Sequence, residues 1–154
     1  MGLEIERKFL VVGEGWRQPA ERQTRFVQGY LNRDPARTVR VRLAGERGFL
    51  TIKGATRGAT RAEFEYEVPA AEARELLAMS DGPVVDKIRH LCEHEGDVWE
   101  VDEFLGANAG LVVAEIELRS EAQAFARPAW LGEEVTGDAR YVNANLAVKP
   151  FSRW

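Results

Sequence analysis

Polar and apolar residues alternate with a period of two along most of this chain, which is typical of β-strands with two different faces. The alternation predicts eight strands, separated by turns rich in Gly, Pro, Asn and Asp. They lie near residues 3–12, 24–32, 37–44, 48–54, 61–68, 84–93, 97–104 and 111–119. Because the turns between them are short, we expect antiparallel pairing and a closed barrel, since closure leaves no exposed sheet edge.

Few segments have the pattern of a helix. Pro69 precedes a run of helix formers at 70–80, and Pro is favoured in the first turn of a helix. A second short helix is predicted at 121–126, where Ser120 is a suitable N-cap, and a helical turn between Tyr141 and Leu146. The expected fold class is α+β, mostly β: a closed eight-stranded antiparallel barrel with a few short helices outside, as a single domain over 1–154.

Composition narrows the possible partners and location. The chain has 154 residues with 21 Lys and Arg against 25 Asp and Glu, a net charge of −4, whereas a nonspecific binder of nucleic acid or membrane surfaces should be basic. Cys92 is the single cysteine, which favours a reducing compartment, and we find neither a signal-peptide pattern nor a long apolar run. We therefore expect a cytoplasmic protein without a nucleic-acid or membrane partner, either a monomer or a homodimer.

The polar faces of these strands are unusual because most carry like charges at positions i and i+2, about 7 Å apart. Such charges destabilise a sheet face unless a partner neutralises them. Ordinary solvated faces would explain any one strand, but the whole set favours charged faces that point into the barrel. Acids alone favour divalent cations and bases alone favour an anion with several oxygens, so the predicted ligand is a metal-bound polyanion. The charged sets are Glu4, Glu6 and Lys8; Arg40 and Arg42; Thr51 and Lys53; Glu63 and Glu65; Lys87 and Arg89; Glu100 and Asp102; Glu115 and Glu117.

Residues 4–8 read Glu-Ile-Glu-Arg-Lys and match the ExExK pattern of the CYTH family, the triphosphate tunnel metalloenzymes, which this chain resembles throughout. The other matching blocks are QGYL at 28–31, VRVR at 39–42, LTIK at 50–53, EFEYE at 63–67, KIR at 87–89, WEVD at 99–102, AEIEL at 114–118 and WLGEEVT at 130–136. The resemblance implies an eight-stranded tunnel. Short bacterial members hydrolyse inorganic tripolyphosphate, while others act on thiamine triphosphate, on RNA ends or on ATP.

The resemblance and the charge pattern together suggest a role for each residue of the site. The predicted catalytic residues are Lys8 and Tyr30. Phosphate oxygens would contact Lys8, Arg40, Arg42, Lys53, Arg61, Lys87 and Arg89. Two Mg²⁺ or Mn²⁺ ions would be held by Glu4, Glu6, Glu63, Glu65, Asp102, Glu115 and Glu117, because hard ions prefer carboxylate oxygens. One ion would stabilise the leaving group and the other would hold the attacking water.

Several alternatives stay open at this point. Lys8 could clamp phosphate or act as a general base with Tyr30, and Tyr30 could instead be a packing residue. The function could be adenylate cyclisation, or storage of polyphosphate without turnover, and the substrate could be another triphosphate. His90, Cys92 and His94 share a strand face, which we interpret as the outer barrel face rather than a zinc site. The loop at 54–60 lacks the P-loop pattern, although it could form a flap that carries Arg57.

Overall fold

The computed structural model describes residues 2–154 and consists mainly of nine β-strands. The strands are β1 (Leu3–Val11), β2 (Gln23–Asn32), β3 (Arg37–Ala44), β4 (Arg47–Gly54), β5 (Thr60–Val68), β6 (Val85–His94), β7 (Asp97–Phe104), β8 (Val112–Glu117) and β9 (Leu131–Glu134). The two α-helices are α1 (Ala70–Leu77) and α2 (Asn143–Leu146), with short 3₁₀ turns at Ala20–Arg22, Gly106–Asn108, Ala139–Tyr141 and Phe151–Arg153.

The first eight strands close into an antiparallel barrel, as the alternation predicts. The strand order is β5-β4-β3-β2-β6-β7-β8-β1, and β1 also pairs with β5 through Leu3–Ala62 and Ile5–Thr60, which completes the circle. The same edge of β1 continues beyond β5 to pair with β9 at Phe9 and Val11. One strand therefore closes the barrel with three partners, β5, β8 and β9.

Two details differ from the expectations. The predicted helix at 121–126 is wrong: the segment forms turns and extended backbone, in which Phe125 packs edge-on against Phe9 and Trp99. Six residues are too few to hold a helix without tertiary support, and Pro128 disfavours helical backbone just before it. The ninth strand, Leu131–Glu134, was not predicted because four residues without alternation give no period-two signal.

The apolar residues form two clusters. One lies outside the barrel wall and includes Phe9, Trp16, Trp99 and Ile116. The other fills one end of the barrel, where Tyr30, Val85, Phe104 and Val113 of the strands meet Tyr141, Ala144 and Leu146 of the C-terminal segment. Helix α1 covers the outside of β3 and β4. The rest of the interior is left to the polar faces of the strands.

None of the helices in residues 2–154 is long and apolar enough to cross a membrane.

Candidate active site

A charged cavity of about 190 Å³ occupies the barrel interior. Its lining includes fourteen of the fifteen predicted site residues, because the alternating strands turn their charged faces inward. They are Glu4, Glu6, Lys8, Tyr30, Arg40, Arg42, Lys53, Arg61, Glu63, Glu65, Lys87, Arg89, Glu115 and Glu117, and Thr38, Glu100, Val142, Asn143 and Ala144 complete the wall. The remaining predicted residue, Asp102, does not line the cavity.

Asp102 lies fully buried beneath two of the cavity's cations. Lys87 Nζ donates to Asp102 Oδ2 at 2.7 Å, and Arg89 donates to both carboxylate oxygens at 2.8 and 2.9 Å. Burial alone would raise the pKa of Asp102, but Arg89 and Lys87 together hold that pKa well below its usual range. Burial, with the positive charges of Arg89 and Arg42, lowers the pKa of Lys87 to about 7 despite Asp102. Asp102 therefore acts here as the counterion of both cations.

Where β1 pairs with β8, acidic side chains lie opposite other acids as well as opposite a cation. Glu6 lies directly across from Glu117 in the β1–β8 pairing, and Lys8 lies across from Glu115. Burial raises the pKa of Glu6 to about 8, and the charge of Glu115 adds to this. Burial also raises the pKa of Glu117, with Glu4 and Glu115 contributing. Crowded carboxyl groups in this part of the cavity therefore resist ionisation, and a bound cation would favour their charged forms.

Lys8 stays positively charged in this setting. Burial lowers its pKa, but the carboxylates of Glu115 and Glu6 outweigh that effect and raise it above the usual value. The nearest carboxylate oxygen belongs to Glu6, at 4.0 Å from Nζ. A lysine with a raised pKa is suited to holding phosphate oxygens and poorly suited to accepting a proton, which supports the clamp over the general base.

Most cations of the cavity already have carboxylate partners. Lys53 contacts Glu4 at 3.0 Å and Glu63 at 3.3 Å, and Arg40 contacts Glu65 at 3.3 Å. Arg42 and Arg61 differ, since in residues 2–154 no carboxylate oxygen lies within 4.0 Å of either guanidinium. The Nε atoms of Arg40 and Arg61 are also buried without a hydrogen-bond acceptor among the described residues. These unused donors are available to an anion in the cavity.

The carboxylates suit a hard divalent cation by their chemistry, although they are not yet arranged around one. Across residues 2–154, no three His, Cys, Asp or Glu side chains are already grouped as metal ligands. The acids lie instead against the cations, as in the contact of Glu4 with Lys53. The donor set fits Mg²⁺ or Mn²⁺ because it consists of carboxylate oxygens, and burial together with the charge of Glu115 raises the pKa of Glu6, which a bound cation would counter.

Among the wall residues that accept hydrogen bonds from the cavity's cations, the sequence analysis missed two. Glu100 was recognised on a charged face but not included in the site; it lies in the cavity and accepts from Arg89 at 2.9 Å. Asn143, on α2, reaches the cavity from outside the barrel, and its Oδ1 accepts from Lys87 at 2.9 Å. A strand period cannot reveal a residue that arrives from a helical turn, so only Glu100 had a signal in the sequence.

The other sequence features lie outside the cavity. His90 is fully buried on the outer face, edge-on to Trp16, and its Nε2 lies 3.1 Å from Glu103. The loop at 54–60 is tied down by Glu121, whose carboxylate accepts from the Ala59 amide and the Thr60 hydroxyl. Arg57 in this loop is exposed and does not line the cavity.

The barrel is closed, and its interior sets acids against bases, with Arg42 and Arg61 left without a carboxylate partner among residues 2–154. The profile of the CYTH domain matches residues 2–149. The chain belongs to the CYTH family.

Individual relatives agree with that assignment. An inorganic triphosphatase of Acetivibrio thermocellus is 47% identical over 155 residues, covering 100% of this chain and 99% of the relative. An inorganic triphosphatase of Nitrosomonas europaea is 38% identical over 154 residues, covering 94% and 97%. The solved structure of the inorganic triphosphatase NE1496 superposes with a TM-score of 0.66 at 36% identity, covering 94% of each chain.

Proposed function

We propose that this protein hydrolyses inorganic tripolyphosphate, releasing the terminal phosphate and leaving pyrophosphate, with Mg²⁺ or Mn²⁺ bound in the barrel. The observation that carries the proposal is the cavity itself, where inward-facing bases and acids meet and Arg42 and Arg61 have no carboxylate partner. The names of the two relatives that are 47% and 38% identical support triphosphate as the substrate.

The cations would hold the substrate by its oxygens. Arg42 and Arg61 would supply donors that no carboxylate of residues 2–154 now occupies, and Lys8 would add a charged ammonium from β1. Charge-assisted hydrogen bonds from several directions fix the phosphoanhydride in one orientation, which is most of what catalysis of phosphoryl transfer requires. Cleavage breaks the bond between the terminal phosphorus and its bridging oxygen, and a water oxygen takes its place.

The acids would hold the metal ions by turning away from their present cation partners. Glu4, Glu6, Glu63, Glu65, Glu115 and Glu117 line the cavity and would serve as ligands, while Glu100 adds one more carboxylate to the same wall. A bound divalent ion would lower the barrier by neutralising charge on the phosphate oxygens and by making a water a better nucleophile. Asp102 would support this arrangement from below by holding Lys87 and Arg89.

The lining favours an inorganic substrate over a nucleotide. Tyr30 is the one aromatic side chain among the lining residues that the structure describes, and it is 4% exposed. Bases are usually bound by stacking on aromatic or guanidinium planes. A mostly buried Tyr offers little such surface, and the arginines of the lining are the groups proposed to hold phosphate oxygens. Apolar contact in the lining comes from Val142 and Ala144 at the closed end.

A substrate panel tests the proposal directly. The purified protein is incubated with tripolyphosphate, ATP and thiamine triphosphate, each with Mg²⁺, with Mn²⁺ or with EDTA, and phosphate, pyrophosphate and cyclic AMP are measured. We expect rapid release of phosphate from tripolyphosphate with a divalent ion and loss of turnover in EDTA. Full activity in EDTA would contradict the metal requirement, and cyclic AMP from ATP as the main product would contradict the triphosphatase.

A matched pair of arginine variants tests the inward face of β3. Arg40→Ala removes a buried cavity cation and should raise KM for tripolyphosphate roughly tenfold to a hundredfold, since a charge-assisted contact contributes about 1.5–3 kcal/mol. Arg22→Ala removes an arginine outside the cavity, which contacts Leu91 O and Glu93, and should leave KM unchanged. Equal effects of the two variants in steady-state kinetics would show that Arg40 does not contact the substrate.

A further inference from the structure

Gln28 is a fully buried, uncharged side chain that points from β2 into the charged interior of the barrel. Its Oε1 accepts from Arg42 Nε at 2.9 Å, and its Nε2 donates to Tyr30 Oη at 3.0 Å and to Asn143 Oδ1 at 3.2 Å. The orientation of the amide is fixed by its partners, because Arg42 can only donate and Asn143 Oδ1 already accepts from Lys87. Every polar atom of this amide thus has a partner.

The contact between Gln28 and Arg42 differs from how most cations of this barrel are held, because the acceptor is a neutral amide. Lys53, Arg40, Lys87 and Arg89 each contact at least one carboxylate within 3.3 Å. Arg42 has a neutral amide in that place, and its guanidinium lies 4.4 Å from the centre of the Phe26 ring. A neutral acceptor orients the guanidinium through one N–H while the positive charge is not cancelled.

We infer that Gln28 is a positioning residue that keeps Arg42 oriented and free of a carboxylate, so that its guanidinium is reserved for a phosphate group of the substrate. The inference rests on the proposed function and extends it by naming a residue that contacts no substrate. Gln28 holds Arg42 by Nε, which leaves the two terminal nitrogens for a planar, two-point contact with phosphate oxygens. The same amide also hydrogen-bonds Tyr30 and Asn143, so it fixes the positions of these two side chains relative to Arg42.

The test is to place a negative charge at position 28. Gln28→Glu keeps the size of the side chain but places a carboxylate beside Arg42 Nε, which makes Arg42 a paired cation like its neighbours. We expect at least tenfold weaker binding of tripolyphosphate, with a smaller effect on kcat than on KM. Gln28→Met, which removes the acceptor without adding charge, should weaken binding about threefold to tenfold and keeps the test available if the Glu variant does not fold.

A double-mutant cycle separates positioning from a merely structural role. If Gln28 acts through Arg42, then Gln28→Met, which adds no charge of its own, should change the binding constant less than twofold when Arg42 is already Ala. Gln23→Glu is a matched control on the same strand, since Gln23 donates to Gln18 O and does not line the cavity. It should bind tripolyphosphate as the wild type does.

Binding is measured by titration calorimetry with tripolyphosphate in EDTA, and KM and kcat are measured separately with a divalent ion. If the wild type binds tripolyphosphate and the Gln28→Glu variant binds it equally well, the inference is overturned while the proposed function stands. An equal loss in the wild-type and Arg42→Ala backgrounds would overturn it as well, because the effect would then not pass through Arg42. If the wild type neither binds nor cleaves tripolyphosphate, the proposed function fails and this inference fails with it.

Discussion

Asp102→Asn should destabilise the fold by about 3–5 kcal/mol, because it removes the one carboxylate that accepts from both Lys87 and Arg89. Both cations are buried, and Arg89 keeps Glu100 and Glu115 while Lys87 keeps only the Asn143 carbonyl oxygen. Urea unfolding at pH 7 in EDTA measures the change in the free energy of unfolding. Loss of activity should accompany the loss of stability, since two cations of the cavity lose their fixed positions.

Asp86→Asn is the control for this substitution. Asp86 pairs with Arg25 at 2.6 Å, but the Arg25 side chain is 65% exposed, and exposed pairs contribute about 0–1 kcal/mol. If the Asp102 and Asp86 variants were equally stable, the buried cluster of Lys87, Arg89 and Asp102 would not be the electrostatic support of the barrel that we describe.

Glu6→Gln should have the opposite effect on stability and a severe effect on turnover. The folded-state pKa of Glu6, about 8, lies above its ordinary value of 4.5, so the folded protein holds a proton that the unfolded chain releases. The free energy of unfolding therefore falls as pH rises from about 4.5 to about 8. Removing the carboxylate abolishes that loss, and the variant should gain on the order of 5 kcal/mol above pH 8 and nothing below pH 4. Hydrolysis should fall at least a hundredfold, because a proposed metal ligand is lost.

The pH dependence identifies the cause. Unfolding is followed in EDTA from pH 2 to pH 9 for the wild type, Glu6→Gln and Glu134→Gln. Glu134 accepts from Arg7, which lowers its pKa, so Glu134→Gln should destabilise the protein at neutral pH. That destabilisation should disappear as the pH falls below the ordinary pKa of the group. A gain for Glu6→Gln that is constant across the whole pH range would mean that ionisation of Glu6 is not its origin.

The fold could be predicted from the sequence to the extent that it follows the strand period. Eight strands with one charged and one apolar face admit few closed arrangements, and the barrel is confirmed. The errors lie where local pattern and tertiary packing disagree. Residues 121–126 have helix-forming composition, yet Phe125 is drawn against Phe9 and Trp99. Leu131–Glu134 becomes a strand because the outer half of β1 offers it an unpaired edge.

The sequence predicted which residues lie in the site better than it predicted which of them contact one another. The period shows which side of a strand a residue occupies, and Arg40, Arg42 and Glu115 all lie in the cavity accordingly. It does not show how deeply a residue lies in the barrel. Glu100 lines the cavity, whereas Asp102, two residues further along the same face, is buried beneath the lining. Nor does it show pairing across the cavity, so the difference between Lys53, which has two carboxylates, and Arg42, which has none, required the structure.

The three-way pairing of β1 also orders the events of folding. This strand precedes all of its partners, which lie at residues 60–62, 113–117 and 131–134, so its contacts span most of the chain. Contacts between residues so far apart in sequence form slowly. During synthesis Glu4 can pair once residues 60–62 are made, but Glu6 and Lys8 lie opposite β8, which is made only after residue 111. Charged side chains on an unpaired strand oppose pairing with other chains, so the residues proposed for chemistry would also be expected to protect the protein during its synthesis.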